Sequence, residues 1–182
     1  MTAWALLPVV GTPVTHGPVM ATDSFRFLKR PLDGGRTLRG RRLFGANKTW
    51  RGAVVMSGGA LVAAHVLHRL PWYRAKLPAE LLDAGPWKHG AAVGFAVVAG
   101  ELPNSFVKRQ LDIAPGGRRW NAPGVAMVIF DQADFVPMAA LALAPWWRMP
   151  LRDLAEGFAI VATLHLGVNV VGYAVGARDE WI

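Results

Sequence analysis

The sequence predicts an all-α integral membrane protein, a bundle of about five transmembrane helices with cytosolic polar loops. Hydrophobic residues make up 53% of the 182 positions, and the mean hydropathy is +0.28. Only 18% of the residues are charged, against about 25% in a typical soluble protein. Several apolar segments also approach the roughly 20 residues that a helix needs to cross a bilayer. These lengths argue against the alternative, a soluble domain of buried helices with basic loops.

The apolar segments alternate with charged linkers and predict one multi-pass domain over residues 1–182. They cover residues 1–22, Ala53–Leu70, Trp87–Leu102, Pro123–Leu143 and Leu154–Gly176. The first segment contains Pro8, Pro13 and Pro18, which kink a helix, and it lacks the cationic start of a signal peptide. The third is short, and the fourth holds two acids. Frequent Gly, Ala and Ser residues favour close packing between membrane helices.

The basic residues lie in the linkers and predict the orientation of the chain. The formal net charge is +8, with nine Lys or Arg at 23–51 and four at 104–121. The positive-inside tendency places these two linkers in the cytosol, the N-terminus outside and the C-terminus inside. Such a charge suits an anionic membrane surface or a phosphorylated substrate. Nucleic acid is not an expected partner, because the basic loops carry few aromatic residues. There are no cysteines, so disulfides and thiolate metal sites are excluded.

The stretch GELPNSFVKRQLDIAPGG follows the third apolar segment and predicts a polar helical stripe. Glu101, Ser105, Lys108 and Asp112 recur at spacings of four, three and four, with Arg109 beside Lys108. If the helix continues beyond the apolar segment, these residues share one face at the cytosolic edge of the bilayer. The alternative is that the two cations only anchor the helix at the headgroups. An anchor does not explain Glu101.

The stretch FDQADF places Asp131 and Asp134 three positions apart in the fourth segment. An ionisable residue inside a membrane segment is costly and indicates a functional site. Two carboxylates on one helical face repel each other unless a cation lies between them. Hard oxygen ligands of this kind suit Mg²⁺. The alternatives are that the acids pair with arginines, or that the helix starts after Asp134.

Two further motifs carry polar side chains. The stretch LFGANKTWRG contains Lys48, Arg51 and the backbone around Gly45, which suit phosphate binding at a helix start. Its spacing is not that of a P-loop. The alternative is a basic turn at the membrane interface. In LHLGVN, His165 and Asn169 share a face, which favours a hydrogen bond between helices over catalysis. Cations for phosphate, acids for a metal and a membrane location together predict phosphate chemistry on a lipid, with a nucleotide approaching from the cytosol.

The same motifs resemble a known family. Three motifs resemble elements of the CDP-diglyceride synthetase superfamily. GELPNSFVKR resembles its G-D-L-x-x-S-x-x-K-R element, FDQADF its D-x-x-D element, and NKTWRG followed by SGG its K-T-W-x-G element. The closer resemblance is to the short archaeal-type branch, CDP-archaeol synthase. The motifs similar to that branch are the PLD start, LFGANKTWRG, SFVKR with PG after it, DQADF, and the late LH and Asn. The resemblance covers most of the chain.

This resemblance implies a multi-pass enzyme of phospholipid biosynthesis that requires Mg²⁺. It would join CTP to a lipid phosphate, either an isoprenoid glycerol ether phosphate or phosphatidate, and release pyrophosphate. The implied roles are metal binding for Asp131, Asp134 and Glu101, catalysis for Lys108, Arg109, Ser105 and Lys48, and substrate binding for Thr49, Arg51 and Asn47. The sequence departs from the family pattern at Glu101, where Asp is usual, and around His16. It assigns no role to Asp112, His16, His165 or Asn169.

Two other functions fit the same residues. A CTP-dependent polyprenol or lipid kinase would transfer the γ-phosphoryl group and release CDP. A non-enzymatic membrane protein that binds anionic lipid through its basic loops would tolerate replacement of the intramembrane acids. The sequence does not distinguish ether from ester lipids, indicates no particular oligomeric state, and does not say whether a second cation is needed.

Overall fold

The structure is a computed structural model that describes residues 3–113 and 134–174, and these residues are mostly helical. The helices are α1 Ala3–Leu6, α2 Gly11–Met20, α3 Trp50–Leu67, α4 Pro71–Arg74, α5 Ala79–Gln110, α6 Phe135–Leu143 and α7 Leu151–Ala174. Two 3-10 turns lie at Leu7–Val10 and Arg26–Leu28, and the short antiparallel strands β1 and β2 cover Thr37–Leu38 and Arg41–Arg42.

Two of the described helices are long and apolar enough to cross a membrane, namely α3 with 18 residues and α5 with 32. The third segment, Trp87–Leu102, is part of a longer helix. The continuation beyond Leu102 to Gln110 was predicted, whereas the part of α5 from Ala79 to Pro86 was not. Apolar composition marks only the part of a helix that faces lipid or core. Near its start, α5 kinks at Gly85, whose φ is +79°. Pro86 then begins the straight part, where its missing N–H costs little.

The other segment boundaries also shift. Helix α3 begins one turn before the predicted Ala53, because the Thr49 side chain caps its first turn. The first segment is helical from residue 3 to residue 20, but in three pieces. Pro8 lies in the 3-10 turn between α1 and α2, whereas Pro13 and Pro18 lie inside α2. Helix α7 begins at Leu151 rather than Leu154. Of the fourth segment, only the part from residue 134 onward lies among the described residues, so the count of five spans stays a prediction.

Glycines let the helices approach each other to backbone contact. A Cβ atom on Gly59 of α3 would lie 2.2 Å from Thr15 Oγ1 and 2.3 Å from the carbonyl oxygen of Gly11 in α2. On α5, a Cβ on Gly94 would lie 2.8 Å from Ser57 Cα of α3. No real side chain fits at these distances. Small residues at helix crossings are the usual means of packing in membrane bundles, so the predicted use of Gly and Ser is confirmed at these contacts.

The described helices bury both small and large apolar residues in the core and leave other apolar side chains exposed on their outward faces. One core cluster fixes α6 on the middle of α5, with Leu6, Ala96, Val97, Phe135, Val136 and Ala139 as its buried members. Outward faces carry exposed Val54, Val62, Phe95, Leu141, Ile160 and Leu164. Large apolar side chains exposed on several helices are expected where a bundle faces lipid. The arrangement agrees with the membrane protein that the composition predicts.

Aromatic residues collect at the two ends of the bundle. Trp4 and Trp72 meet edge to face at a centroid distance of 5.7 Å where α1 starts and α3 ends, and Trp87 and Trp146 line one groove nearby. Trp50 marks the other end, where α2 ends and α3 begins. The two ends are about 27 Å apart, the length of an 18-residue helix. We call the Trp50 end the basic end, because the cation-rich loop 21–49 lies there. Aromatic belts at such a separation are typical of membrane–water interfaces.

Candidate active site

The loop between α2 and α3 is built around the buried carboxylate of Asp33. Its oxygens accept hydrogen bonds from the backbone N–H groups of Gly35 at 2.9 Å and of Phe44 and Gly45 at 3.1 Å. The Arg42 guanidinium donates to both oxygens. The bonds from Arg42 and from these backbone groups hold the pKa of the Asp33 carboxyl well below its usual range. Asp33 therefore stays ionised and fixes the loop as one turn of defined shape.

Asp33 was not among the predicted site residues, although it is the acid of the PLD block. The signal was present, since an acid that is followed by Gly34 and Gly35 is a typical turn former. What local pattern does not show is that the carboxylate reaches across to residues 42–45.

The turn that Asp33 holds lies directly against Arg109 at the end of α5. Gly45 has a φ of +95°, a left-handed conformation that favours glycine. A Cβ on Gly45 would lie 3.1 Å from Asn47 Oδ1 and 3.4 Å from Arg109 Cδ. Within the described residues, Arg109 Nε is buried and has no hydrogen-bond partner. A buried N–H without an acceptor is costly, and an anion bound here would satisfy it.

Lys48 continues the same loop and reaches α5 about two turns before Arg109. Its backbone oxygen accepts a hydrogen bond from Leu32 N at 2.7 Å, and its Nζ lies 2.5 Å from Glu101 Oε2. The two side chains are only 22% and 34% exposed. The structure thus joins two blocks that are 53 residues apart in the chain. A residue with a predicted catalytic role and one with a predicted metal-binding role are in direct contact.

The β-hairpin covers the last turn of α5. Arg41 pairs with Asp112 at 3.3 Å and also donates to the backbone carbonyl of Gln110. The Gln110 side chain donates back to the Arg42 carbonyl at 3.3 Å. Asp112, whose role the sequence left open, is a partner of the hairpin in this structure. Lys108 and Arg109 lie in the last turn, as the predicted continuation of the helix requires.

Thr49 and Arg51 both act on the start of α3. Thr49 Oγ1 accepts a hydrogen bond from Gly52 N at 3.2 Å and caps the helix. Arg51 is buried, and its Nη2 donates to the carbonyl oxygens of Val19 at 2.6 Å and Thr22 at 2.7 Å. These bonds tie the end of α2 to the first turn of α3. The substrate-binding roles of both residues stay predictions.

The start of α6, at Asp134, contacts α5 at the residue before Glu101. Asp134 occupies the N-cap position of α6. A Cβ on Gly100 would lie 2.7 Å from Phe135 Cα and 2.9 Å from the Asp134 backbone oxygen, so the start of α6 touches the residue before Glu101. Asp131 lies outside the described residues. Within the ranges 3–113 and 134–174, no three His, Asp or Glu side chains form a group that could hold a metal ion.

The remaining predicted residues are placed less directly. Ser105 is buried one turn before Arg109 on α5, and Asn47 is exposed beside Gly45. His16 on α2 faces the first turn of α3, where its Nε2 would lie 3.9 Å from a Cβ on Gly52. The side chains of His165 and Asn169 lie outside what the structure describes, so their shared face stays a prediction.

The basic end therefore holds lysine and arginine side chains around a carboxylate, at the edge of an apolar bundle. Lys48 and Glu101 form one of its ion pairs, and Arg109 presents a buried donor under the Gly45 turn. Such a site suits a polyphosphate group, which needs several donors and a metal or cations to balance its charge.

Comparison with known proteins gives one consistent family. A family model described as "CarS-like: CDP-archaeol synthase" matches residues 18–182. The CDP-archaeol synthase of Halobacterium salinarum is 34% identical over 97% of this chain and 93% of its own length. That of Halorubrum lacusprofundi is 32% identical with the same coverage. The relative from Methanothermobacter thermautotrophicus is 32% identical over 84% of this chain and 80% of its own.

A solved structure is similar as well. It was described as that of "an intramembrane enzyme for archaeal membrane lipids biosynthesis", with a TM-score of 0.63 and 29% sequence identity. The similarity covers 92% of this chain and 91% of that one. The match to the family model includes both the loop with Lys48 and the helix with Glu101 and Arg109. The protein therefore belongs to the CarS-like family of CDP-archaeol synthases.

Proposed function

We propose that this protein is a membrane-embedded cytidylyltransferase that joins CTP to an isoprenoid glycerol ether phosphate and releases pyrophosphate. The observation that carries the proposal is the convergence of Lys48, Glu101 and Arg109 at one end of an apolar bundle. This geometry supplies an anion site at the depth where a lipid phosphate lies. The family to which the chain belongs is named for the same product class.

The reaction needs little acid–base help from the protein. An oxygen of the lipid phosphate attacks the α-phosphorus of CTP, and the bond from that phosphorus to the bridging oxygen of the β-phosphate breaks. The electron pair leaves with pyrophosphate, and the product is a CDP-lipid. The attacking oxygen is already anionic, so the protein contributes positioning and charge neutralisation. One phosphoanhydride replaces another, so removal of pyrophosphate drives the reaction forward.

The cations divide the phosphate binding between them. Among the described residues the buried Nε of Arg109 has no partner, and we assign the triphosphate to Arg109 under the Gly45 turn. Lys48 is kept at the site by its contact with Glu101, and Lys108 lies beside Arg109. Ser105, Asn47, Thr49 and Arg51 are proposed as the surrounding polar groups.

Mg²⁺ is the cofactor that the family implies, and we propose carboxylates close to the contact between α5 and α6 as its ligands. Glu101 and Asp134 come from elements that touch at Gly100, and carboxylate oxygens are the ligands that Mg²⁺ prefers. Asp131 would join them. Bound there, the ion would neutralise the developing charge on the phosphate oxygens.

The proposed topology is that of a single multi-pass domain with about five spans in the cell membrane. Helices α3 and α5 have the length and composition for spans, and the cation-rich loop 21–49 favours the cytosol for the active site.

Cysteine labelling tests this orientation. The chain has no cysteines, so a single introduced cysteine is the only thiol that can be labelled. A cysteine at Thr37 is expected to be shielded from an impermeant thiol reagent added outside cells, whereas one at Ala79 is expected to react. Labelling of the cysteine at Thr37 would show that this loop lies outside the cell and that the predicted orientation is wrong.

One assay separates the proposal from its alternatives. Purified protein is incubated with α-labelled CTP, Mg²⁺ and a panel of ether and ester lipid phosphates, and the products are separated by chromatography. The expected result is a labelled CDP-lipid together with pyrophosphate. Release of labelled CDP with phosphorylated lipid would instead show a kinase. Absence of turnover with every lipid, at retained lipid binding, would show a non-enzymatic lipid-binding protein.

A further inference from the structure

A second surface of loop 21–49 lies outside the candidate active site and combines exposed aromatic rings with cations. The Phe25 and Phe27 side chains are 49% and 75% exposed, and their rings meet edge to face at a centroid distance of 6.4 Å. Phe25 has a φ of +57°, a left-handed conformation that is unfavourable for a bulky side chain. The loop therefore turns both rings outward at a conformational cost.

Three arginines of the same loop are left without a counter-ion among the described residues. Arg30, Arg36 and Arg39 are exposed, and within the described residues none of them forms an ion pair. Most other cations of the loop do have partners. Arg26 and Lys29 pair with Asp23, Arg41 with Asp112, Arg42 with Asp33, and Lys48 with Glu101. These three side chains therefore carry unpaired positive charge, and Arg26 and Lys29, which share Asp23, leave one further positive charge unbalanced.

The rings lie at the level where a candidate membrane span begins. Arg51 of α3 binds the Thr22 carbonyl just before them, and the backbone N–H of Trp50 donates to the Arg30 carbonyl at 3.0 Å just after them. Trp50 itself is 52% exposed. Aromatic side chains at the end of a span are typical of the headgroup region of a bilayer.

We propose that Phe25, Phe27, Arg30, Arg36 and Arg39 form a docking surface for the anionic headgroup layer of the same membrane. The rings insert beneath the lipid phosphates, and the guanidinium groups bind phosphates of neighbouring anionic lipids. We call this surface the interfacial patch. Docking holds the loop against the bilayer and therefore keeps Lys48, on the other side of the same loop, at the height of the lipid phosphates. This inference goes beyond the proposed function, because a lipid phosphate transferase needs only the active-site cations.

Depth measurement tests the aromatic half of the patch. Ser24→Cys carries an environment-sensitive fluorophore next to Phe25, and the full chain is reconstituted in vesicles that contain about 30 mol % anionic phosphatidylglycerol. We expect blue-shifted emission, quenching by lipids that are spin-labelled near the headgroup, and protection from aqueous iodide. In a Phe25→Ser/Phe27→Ser background the same probe should lose this protection. Equal iodide access in both backgrounds would overturn the proposal. Shielding that rises with the protein-to-lipid ratio would also overturn it, because it would indicate that a second copy of the protein, rather than lipid, covers the probe.

Charge removal tests the basic half. In an Arg30→Gln/Arg36→Gln/Arg39→Gln variant, the docked fraction of the Ser24 probe should fall by about tenfold or more and cease to depend on anionic lipid. Arg152→Gln, whose side chain is 85% exposed on α7, serves as the control and should leave docking unchanged. An unchanged docked fraction in the triple variant would overturn the electrostatic part. The probe reports docking without turnover, so failure here is distinct from failure of the proposed transfer reaction.

Discussion

A methyl group on Gly100 tests whether the contact between α5 and α6 sets the geometry of the site. In Gly100→Ala the new Cβ would lie 2.7 Å from Phe135 Cα and 2.9 Å from the Asp134 backbone oxygen. Both atoms belong to the backbone, so no side-chain rotation relieves the clash. The start of α6 must move away from α5, and Asp134 moves with it.

The size of this displacement follows from the contact distances. Ordinary van der Waals contact begins at 3.4 Å, so Phe135 must move by about 0.7 Å. Overpacking of this kind costs about 1–3 kcal/mol, which a gain of about 1 kcal/mol in helix propensity partly offsets. A misplacement of about 1 Å at a catalytic site lowers turnover by about 100-fold. We therefore expect at least a roughly tenfold loss of turnover, with a modest loss of stability.

The assay compares Gly100→Ala with Gly58→Ala in the same detergent. A Cβ on Gly58 meets nothing within 4 Å, so this control should keep full turnover and an equal or slightly higher unfolding temperature. CDP-lipid formation and thermal unfolding are measured for both variants. If Gly100→Ala retains the turnover of the control, the contact at Gly100 does not set the geometry of the site, and our account of the Asp134 position is wrong.

Three other predictions concern charges. Arg109→Ala should weaken CTP use by about tenfold or more, since charge-assisted hydrogen bonds contribute about 1.5–3 kcal/mol, whereas Arg152→Ala should not; equal losses would indicate general destabilisation. The pKa of Asp33 is lowered in the folded protein, so this carboxylate stabilises the fold above its unfolded pKa of about 3.9, and the stabilisation is lost as the pH falls below that value. Acid unfolding of Asp33→Asn should lack this pH-dependent loss of stability. An acid unfolding profile equal to that of the parent protein would contradict the assignment. Asp131→Asn and Asp134→Asn should each abolish transfer and the protection that Mg²⁺ gives the parent protein against heat; near-parental turnover at limiting Mg²⁺ would favour a salt-bridge role.

Sequence periodicity was sufficient for the helix that carries the site. The spacing of Glu101, Ser105, Lys108 and Asp112 predicted one helical face, and α5 confirms it for the first three. The prediction was wrong for Asp112, because α5 ends at Gln110 and Asp112 lies beyond it with a φ of +61°. The signal was strong because an apolar run that is followed by polar residues at helical spacing is typical of one continuous helix. The start of α5 was not predicted, since its first turns are polar and kinked at Gly85.

The contacts of loop 21–49 could not be predicted from local pattern. Lys48 and Glu101 are 53 positions apart, and Arg41 and Asp112 are 71 apart. Charge composition indicates that such a loop is basic, but not which acid each cation meets. The role of Asp33 depends on where the backbone N–H groups of Phe44 and Gly45 point, and that direction arises only when the loop closes.

The glycine contacts divide the molecule into stiff and compliant parts. Where Gly11 meets Gly59 and Gly94 meets Ser57, main chain touches main chain, and no layer of rotatable side chains is left to absorb sliding. The frame of α2, α3 and α5 is therefore resistant to shear at these crossings. The loop meets α5 through polar bonds such as Lys48–Glu101 and Arg41–Asp112, which water or phosphate can replace one at a time. Substrate entry is thus expected to deform the loop, while the helices keep their spacing.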